Sequence, residues 1–373
     1  MIDSSLLIWG GIPWLVYILF VLVVTNTKGW NTTVKMKYLM YFSILFAALR
    51  YGIGYDYYSY KAIVEGAAQD YQMERWNILP QLLGDFCRPI HFQLFFVITS
   101  ILAVYPVYFV CNKLSENKVL SFTVFLFYPQ FYLMGLGPVR NYVAFSMALL
   151  LFYHWFYGRK VYAIICYIIA IGFHTSAITA GVLFFIPSMS RSRALHFTLF
   201  LISFVLSVFV IPFLTNVSSF IGVENQVSYY LENADKYSGG GLYRIIVNVI
   251  ALVNLLNWQK LSKNSELNAR CLVLFNIGAC VWNLLLPIST VLATRLAMFF
   301  LFYLILFVPT YCKVLSKKHL AVKNVIVSFC LLLFVFTFVM QYYNYLNSGI
   351  RMSNYPYQFF FNSVDLSNSP LFV

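Results

Sequence analysis

A train of apolar runs, each about as long as a helix needs to cross a hydrocarbon core, limits this chain more than any other feature. Crossing the core takes about 20 mostly apolar residues. Ten such runs stand out, near 6–24, 37–54, 91–111, 120–136, 140–157, 195–214, 243–259, 270–287, 292–312 and 322–340. Hydrophobic residues make up 61% of the 373 and charged residues only 10%, too little polar surface to coat a water-soluble globule. The expected class is an all-α, polytopic integral membrane protein. None of the seven cysteines forms a CxxC pair and most sit inside apolar runs, which argues for packing and against a disulfide framework or a zinc site. The opening residues MIDSSLLIWG have no basic n-region, and no small-residue cleavage site follows, so the first run is expected to be a retained helix.

The stretch 161–187 is too long for one comfortable span and too short for two full ones. Charge decides between the readings. If it is a hairpin of two short helices, six loops share one side and hold 16 of the 25 basic residues, with only Glu116 and Glu266 as acids. A single straight helix would break this sorting at the Arg191 and Lys260 clusters. Basic loops face the cytoplasm, so the hairpin is preferred, with its bend near Gly172–Phe173–His174. About 12 transmembrane segments result, with both termini outside. The same bias accounts for the net charge of +13 without a nucleic-acid partner. One membrane domain over 1–373 is expected, with outer loops at about 55–90 and 215–242 and an outer aromatic tail at 341–373.

Nine basic residues remain on the outer side, and seven of them are arginine, against four of the 16 inside. Arginine presents a rigid fork suited to phosphate, whereas lysine is a point charge. Arg50, Arg140, Arg244 and Arg295 each fall at the outer end of an expected span. Snorkelling to headgroups explains any one of them. Four at one depth, on the side poor in lysine, point to a shared anionic ligand in one outer cavity. Arg140 follows Gly135-Leu136-Gly137-Pro138, a helix start whose free amides also attract phosphate.

The segment RYGIGYDYYSY, Arg50–Tyr60, packs two glycines, one acid and five tyrosines into eleven residues. Tyrosines commonly form an interfacial belt. Clustered around Asp56 in an outer loop, Tyr57 and Tyr60 also suit stacking on sugar rings and donating hydrogen bonds. His174 lies at the expected hairpin tip, where a packed, backbone-bonded histidine is the plainer alternative. Glu74 lies in the outer loop at QMERWNILP. No histidines stand at ligand spacing and no DxD pair occurs, so no metal cage is expected. Neither GxSxG nor a P-loop is present.

RYGIGYDYYSY resembles the R-x-x-x-G-x-D-Y-x-x-Y signature of the EpsG family, polytopic proteins of bacterial polysaccharide synthesis grouped with the Wzy-type polymerases. GPVRNYVAFSMALL, AIGFHTSAI and ATRLAMFF are similar to three further blocks of that family, in order along residues 50–300. Asn141 stands where glutamine is usual, and Tyr55 where a small polar residue is usual. The resemblance implies an all-helical, GT-C-like fold in the bacterial inner membrane. It implies transfer of a growing glycan from undecaprenyl diphosphate to a hydroxyl of the next lipid-linked repeat unit on the outer face. Its partners would be lipid-linked oligosaccharides, membrane lipids and a chain-length regulator, with no cofactor. The arginines would bind the diphosphate, and the general base is sought in the order His174, Asp56, Glu74. A flippase or exporter for the same lipid-linked oligosaccharide and an O-antigen ligase are the alternatives; a flippase would want charges through both leaflets, whereas here they crowd the outer edge.

The charge argument makes a direct prediction. A reporter fused after Arg193 should read cytoplasmic; a periplasmic signal there rejects the hairpin and reverses every later span.

Overall fold

Helix ends in this protein follow capping chemistry more closely than apolar content. The computed structural model describes residues 4–29, 31–67, 76–213, 241–314, 319–348 and 354–363. The α-helices are α1 Ser4–Asn26, α2 Thr32–Ala48, α3 Tyr57–Glu65, α4 Ile78–Cys87, α5 Gln93–Leu114, α6 Lys118–Phe127, α7 Val139–Phe156 and α8 Lys160–Phe173. They continue as α9 Arg193–Ser207, α10 Gly241–Leu256, α11 Trp258–Ser262, α12 Glu266–Leu285, α13 Thr290–Leu301, α14 Leu304–Val314 and α15 His319–Ser348. Two 3₁₀ segments, Met134–Leu136 and Thr175–Ser188, and two short strands, β1 Arg50–Tyr51 and β2 Gln358–Phe359, complete the described elements. Asn31, Asn117, Ser192, Ser265 and Ser289 each accept a backbone N–H from the first turn of the helix they precede, satisfying an amide that has no partner inside the helix.

Several expected spans are shorter than their apolar runs. The run 120–136 stops being helical at Phe127, because Tyr128 precedes Pro129 and takes extended backbone (φ −77°, ψ 113°). The run 37–54 loses its last residues to β1 and the glycine turn after it. The run 292–312 breaks into α13 and α14, bent by 58°. Among the described residues, four helices are long and apolar enough to cross a membrane, Trp9–Asn26, Gln93–Leu114, Glu266–Leu285 and Leu320–Asn344, or five with the bent pair. The expected count of about 12 is therefore not reached by length and composition. Six shorter apolar helices accompany the long ones. Outward faces are apolar: Val325, Leu332, Val339 and Leu346 of α15 recur every seventh residue and all are exposed, as a lipid-facing stripe would be.

The stretch 161–187 does divide in two. α8 ends at Phe173, His174 is extended (φ −155°, ψ 127°), and a 3₁₀ segment of 14 residues follows. So long a 3₁₀ run is uncommon. Its buried residues, Ala177, Ala180, Leu183 and Ile186, recur every third position, matching the three residues per turn of that helix. At about 2.0 Å per residue it extends about 28 Å, close to the roughly 30 Å hydrocarbon thickness. The second half of the stretch thus gains length by overwinding.

The chain groups into two compact units, Met1–Thr175 with Ser316–Val373, and Ser176–Leu315. The first holds an aromatic core in which Trp14, Tyr17, Phe46, Phe127, Tyr132 and Phe334 contact one another. The tail closes over it. β2 pairs antiparallel with β1, Arg50 opposite Phe359 and Tyr51 opposite Gln358. Around that pair, the Tyr357 hydroxyl donates to Phe46 O (2.6 Å), Trp14 Nε1 donates to Asn354 O (2.8 Å) and Phe360 N to Leu49 O (3.0 Å).

In the second unit α12 packs against α9, α10, α11, α13 and α14. At one end Glu266 accepts from both Arg191 and Arg270, and Trp258 Nε1 donates to Arg191 O (2.8 Å). The loops around Arg191 and Glu266, both expected on the cytoplasmic side, thus lie at the same end of this unit. Deeper, Asn248 of α10 and Asn283 of α12 exchange two amide hydrogen bonds of 2.9 Å each, and Asn283 also donates to Ser203 Oγ at 3.3 Å. No water competes for such pairs in hydrocarbon. Asn248→Ala and Asn283→Ala should each lower the thermal midpoint, with a coupling energy of about 0.6–1.7 kcal/mol in a double-mutant cycle. Additive losses would show that the two amides do not depend on each other.

Candidate functional site

Two chain reversals meet in the first unit, and the sequence explains why they touch. After β1, Gly52 (φ 69°) and Gly54 (φ 102°) take left-handed backbone and turn the chain towards α3. A Cβ on Gly54 would lie 2.3 Å from Leu136 O and 2.6 Å from Gly137 Cα. Glycine is therefore required twice over, for its φ and for the contact. The second reversal, 133–138, runs directly into α7, whose second residue is Arg140.

Arg50 locks the two together from inside. It is only 1% exposed. Its Nη1 donates to Ala47 O, at the end of α2, and its Nη2 to Leu136 O at 3.2 Å. Its guanidinium lies 4.9 Å from the centre of the Phe96 ring, and its Nε is buried without a hydrogen-bond partner. Beside it is a cavity of about 20 Å³ whose lining includes Thr99, Ser100, Tyr132, Tyr142 and Ser146. Arg50 itself is among the residues that line it.

Gln93, the first residue of α5, supports this arrangement. Its Nε2 donates to Ala48 O (2.5 Å) and Arg50 O (3.0 Å), and its Oε1 accepts from the Tyr57 hydroxyl (3.2 Å). Tyr57 is fully buried and stacks on Phe96, ring centres 4.4 Å apart. Burial pushes its phenol well above the ordinary range, so it stays a neutral donor. Tyr60, one turn on, is buried, and its hydroxyl donates to Asp56 Oδ2 at 3.4 Å. Asp56 precedes α3 but makes no cap with its own side chain, which leaves the carboxylate turned to Tyr60.

Arg140 differs from Arg50. It is half-buried, and its guanidinium lies 5.3 Å from the Trp76 ring centre and 5.7 Å from that of Tyr60. Trp76 stacks on Phe95 (5.6 Å), which meets Phe96 edge-on (5.6 Å). Both guanidiniums thus rest on one aromatic cluster. A cation in the first turn of a helix faces the positive end of its dipole, where anions are favoured. The ring faces of Trp76 and Tyr60 offset part of that repulsion. An anion reaching this point would gain from the arginine and from the positive end of the α7 dipole, while the amides of Val139 and Asn141 already donate to Gly137 O (2.8 Å) and Pro138 O (3.0 Å).

His174 also belongs to the first unit. His174 closes α8 with its backbone N–H on Ala170 O (3.0 Å) and is partly buried. The same end of α8 brings Gly172 against Leu79 of α4, and α4 follows directly on Trp76. Arg244, in the first turn of α10, and Arg295, in α13, belong to the second unit. The Arg244 guanidinium lies 5.8 Å from the Phe204 ring centre. Glu74 is outside the described residues, as is nearly all of the expected outer loop 215–242. The other outer loop, 55–90, is helical over α3 and α4. Gln93 was missed in the sequence reading, although a glutamine opening an apolar run was a visible signal.

Gln93→Leu should leave two carbonyls and the Tyr57 hydroxyl without their partner, at a cost of about 1–3 kcal/mol for each buried group. The check is a thermal melt in detergent; an unchanged midpoint would show that water replaces the amide.

The model of the EpsG family matches residues 36–359. It takes in all four blocks, β1 and β2, and both arginines of the aromatic cluster. No curated protein and no solved structure matches the chain, so the expected GT-C-like architecture is without support.

Proposed function

The chain belongs to the EpsG family, and from that premise we propose that it is a polysaccharide polymerase of the bacterial inner membrane. It moves a growing glycan from undecaprenyl diphosphate to a hydroxyl of the next lipid-linked repeat unit, on the outer face. The observation that carries this reading is Arg140, a half-buried fork at the start of α7, lying over Trp76 and Tyr60. In the reaction an acceptor hydroxyl oxygen bonds to the anomeric carbon of the donor. The bond from that carbon to the diphosphate oxygen breaks, and its electron pair leaves with the diphosphate. Arg140, aided by the positive end of the α7 dipole, stabilises the charge that develops there. Trp76 and Tyr60 are buried and serve as the bed on which the Arg140 guanidinium rests. Arg244 and Arg295 are the remaining candidates for diphosphate contacts.

The hydroxyl proton goes to His174, to Asp56 or, third, to Glu74. His174 titrates near neutral pH in its ordinary state. Asp56 gains from the geometry, because Arg50 gives its fork to carbonyls rather than to this carboxylate, which faces the Tyr60 hydroxyl. The test of the function is the length distribution of surface glycan in a deletion strain. A polymerase leaves single repeat units at the surface; their absence would point to a flippase.

Arg140→Lys keeps the charge and loses the bidentate fork, so its glycan ladder should already shorten. Full-length ladders from Arg140→Lys and Arg140→Ala would reduce this arginine to a lipid anchor. For the base, His174→Ala should lose about 10²–10⁴-fold in single-turnover transfer at saturating donor. A loss below about tenfold passes the role to Asp56, read in the same way with Asp56→Asn.

A further inference from the structure

Arg50 and Arg140 both stand in signature blocks, yet the structure gives them different work. Arg140 offers a half-buried guanidinium at a helix start. Arg50 is 1% exposed, with both terminal nitrogens on main-chain carbonyls and its Nε buried. It also lines the small cavity of about 20 Å³. A buried cation is costly unless its surroundings compensate it. Here Ala47 O belongs to the last turn of α2, the negative end of that helix dipole, and the Phe96 ring face adds to it. The compensation comes from within the protein, and both terminal nitrogens are already engaged.

We propose that Arg50 is a positioning residue: it ties the end of α2 to the turn that begins α7, and so holds Arg140 over Trp76 and Tyr60, without touching the donor. Three facts converge on that turn. Arg50 Nη2 bonds Leu136 O. Gly54 packs on Leu136 and Gly137 with no side chain between them. Only Pro138 and Val139 separate Gly137 from Arg140. Arg50 is itself held from two sides, by Gln93 on its carbonyl and by β2 on its backbone. The fork is needed because the two carbonyls belong to different elements; a lysine ammonium reaches them less well. This assignment rests on the diphosphate reading of Arg140 given above.

Arginine-selective labelling with phenylglyoxal, mapped by mass spectrometry on the full chain purified in detergent, separates the two claims. In the unaltered protein Arg140 should label and Arg50 should not, and inorganic diphosphate should slow labelling at Arg140 alone. Failure of diphosphate to protect Arg140 rejects the diphosphate reading. It leaves the positioning claim open to the next measurement, which uses no ligand. In Arg50→Gln, Arg140 should label about fivefold faster, the scale of losing one cation–π contact. Gly54→Ala, which alters no charge, should do the same by forcing the turn away. Arg50→Lys should fall between Arg50→Gln and the unaltered protein. Arg50 labelling as fast as Arg140 in the unaltered protein, with protection by diphosphate, overturns the proposal even if no variant folds. An Arg140 rate unmoved in folded Arg50→Gln and Gly54→Ala overturns it as well.

Discussion

The contact between Gly54 and the Leu136–Gly137 turn is made by backbone alone, and the first unit is organised around it. Two segments far apart in the chain approach so closely that one added methyl group would collide with a carbonyl oxygen. No side chain is available there to hold them. The holding is done next to the contact, by a guanidinium long enough to reach one carbonyl on each side. The aromatic cluster, the helix start and the half-buried arginine take their positions from this junction.

A charge in so apolar a place needs a reason to stay. Carbonyls at the end of α2 provide part of it, because the last turn of a helix carries unpaired acceptors and a partial negative charge. Ring faces provide the rest. Arg140 lies in the opposite electrostatic setting, at a helix start, where its own charge is disfavoured and an incoming anion is welcome. Two residues of one type, each among the family-like blocks, are thus separated by the polarity of the helix ends beside them.

Much of this was legible in the sequence. Apolar runs gave the helices, and the sorting of basic residues agrees with Arg191 and Glu266 meeting at one end of the second unit. The tyrosines cluster around Asp56 in the sequence, and the pairing of Tyr60 with Asp56 follows from one helical turn of spacing. Other features were hidden for physical reasons. Apolar content does not reveal where a helix stops, so the break before Pro129 cut a run that looked continuous. The period-three burial of Ala177, Ala180, Leu183 and Ile186 departs from the usual helical period only slightly over so few turns. The arginine skew singled out Arg50 and Arg140, but which of them is buried depends on contacts distant in sequence. The pairing of β1 with β2 is of that kind, since two-residue strands carry no pattern of their own.

That pairing has a consequence for how the protein is made. Arg50 and Tyr51 are synthesised early, and their partner strand, Gln358–Phe359, only after every described helix has been made. Until then the signature strand presents an open edge, and the Phe46 and Leu49 carbonyls that the tail later occupies have no such partner. A chain interrupted anywhere before residue 358 can insert its helices and still lack the finished junction. Closure of the junction therefore waits on the last strand to be made.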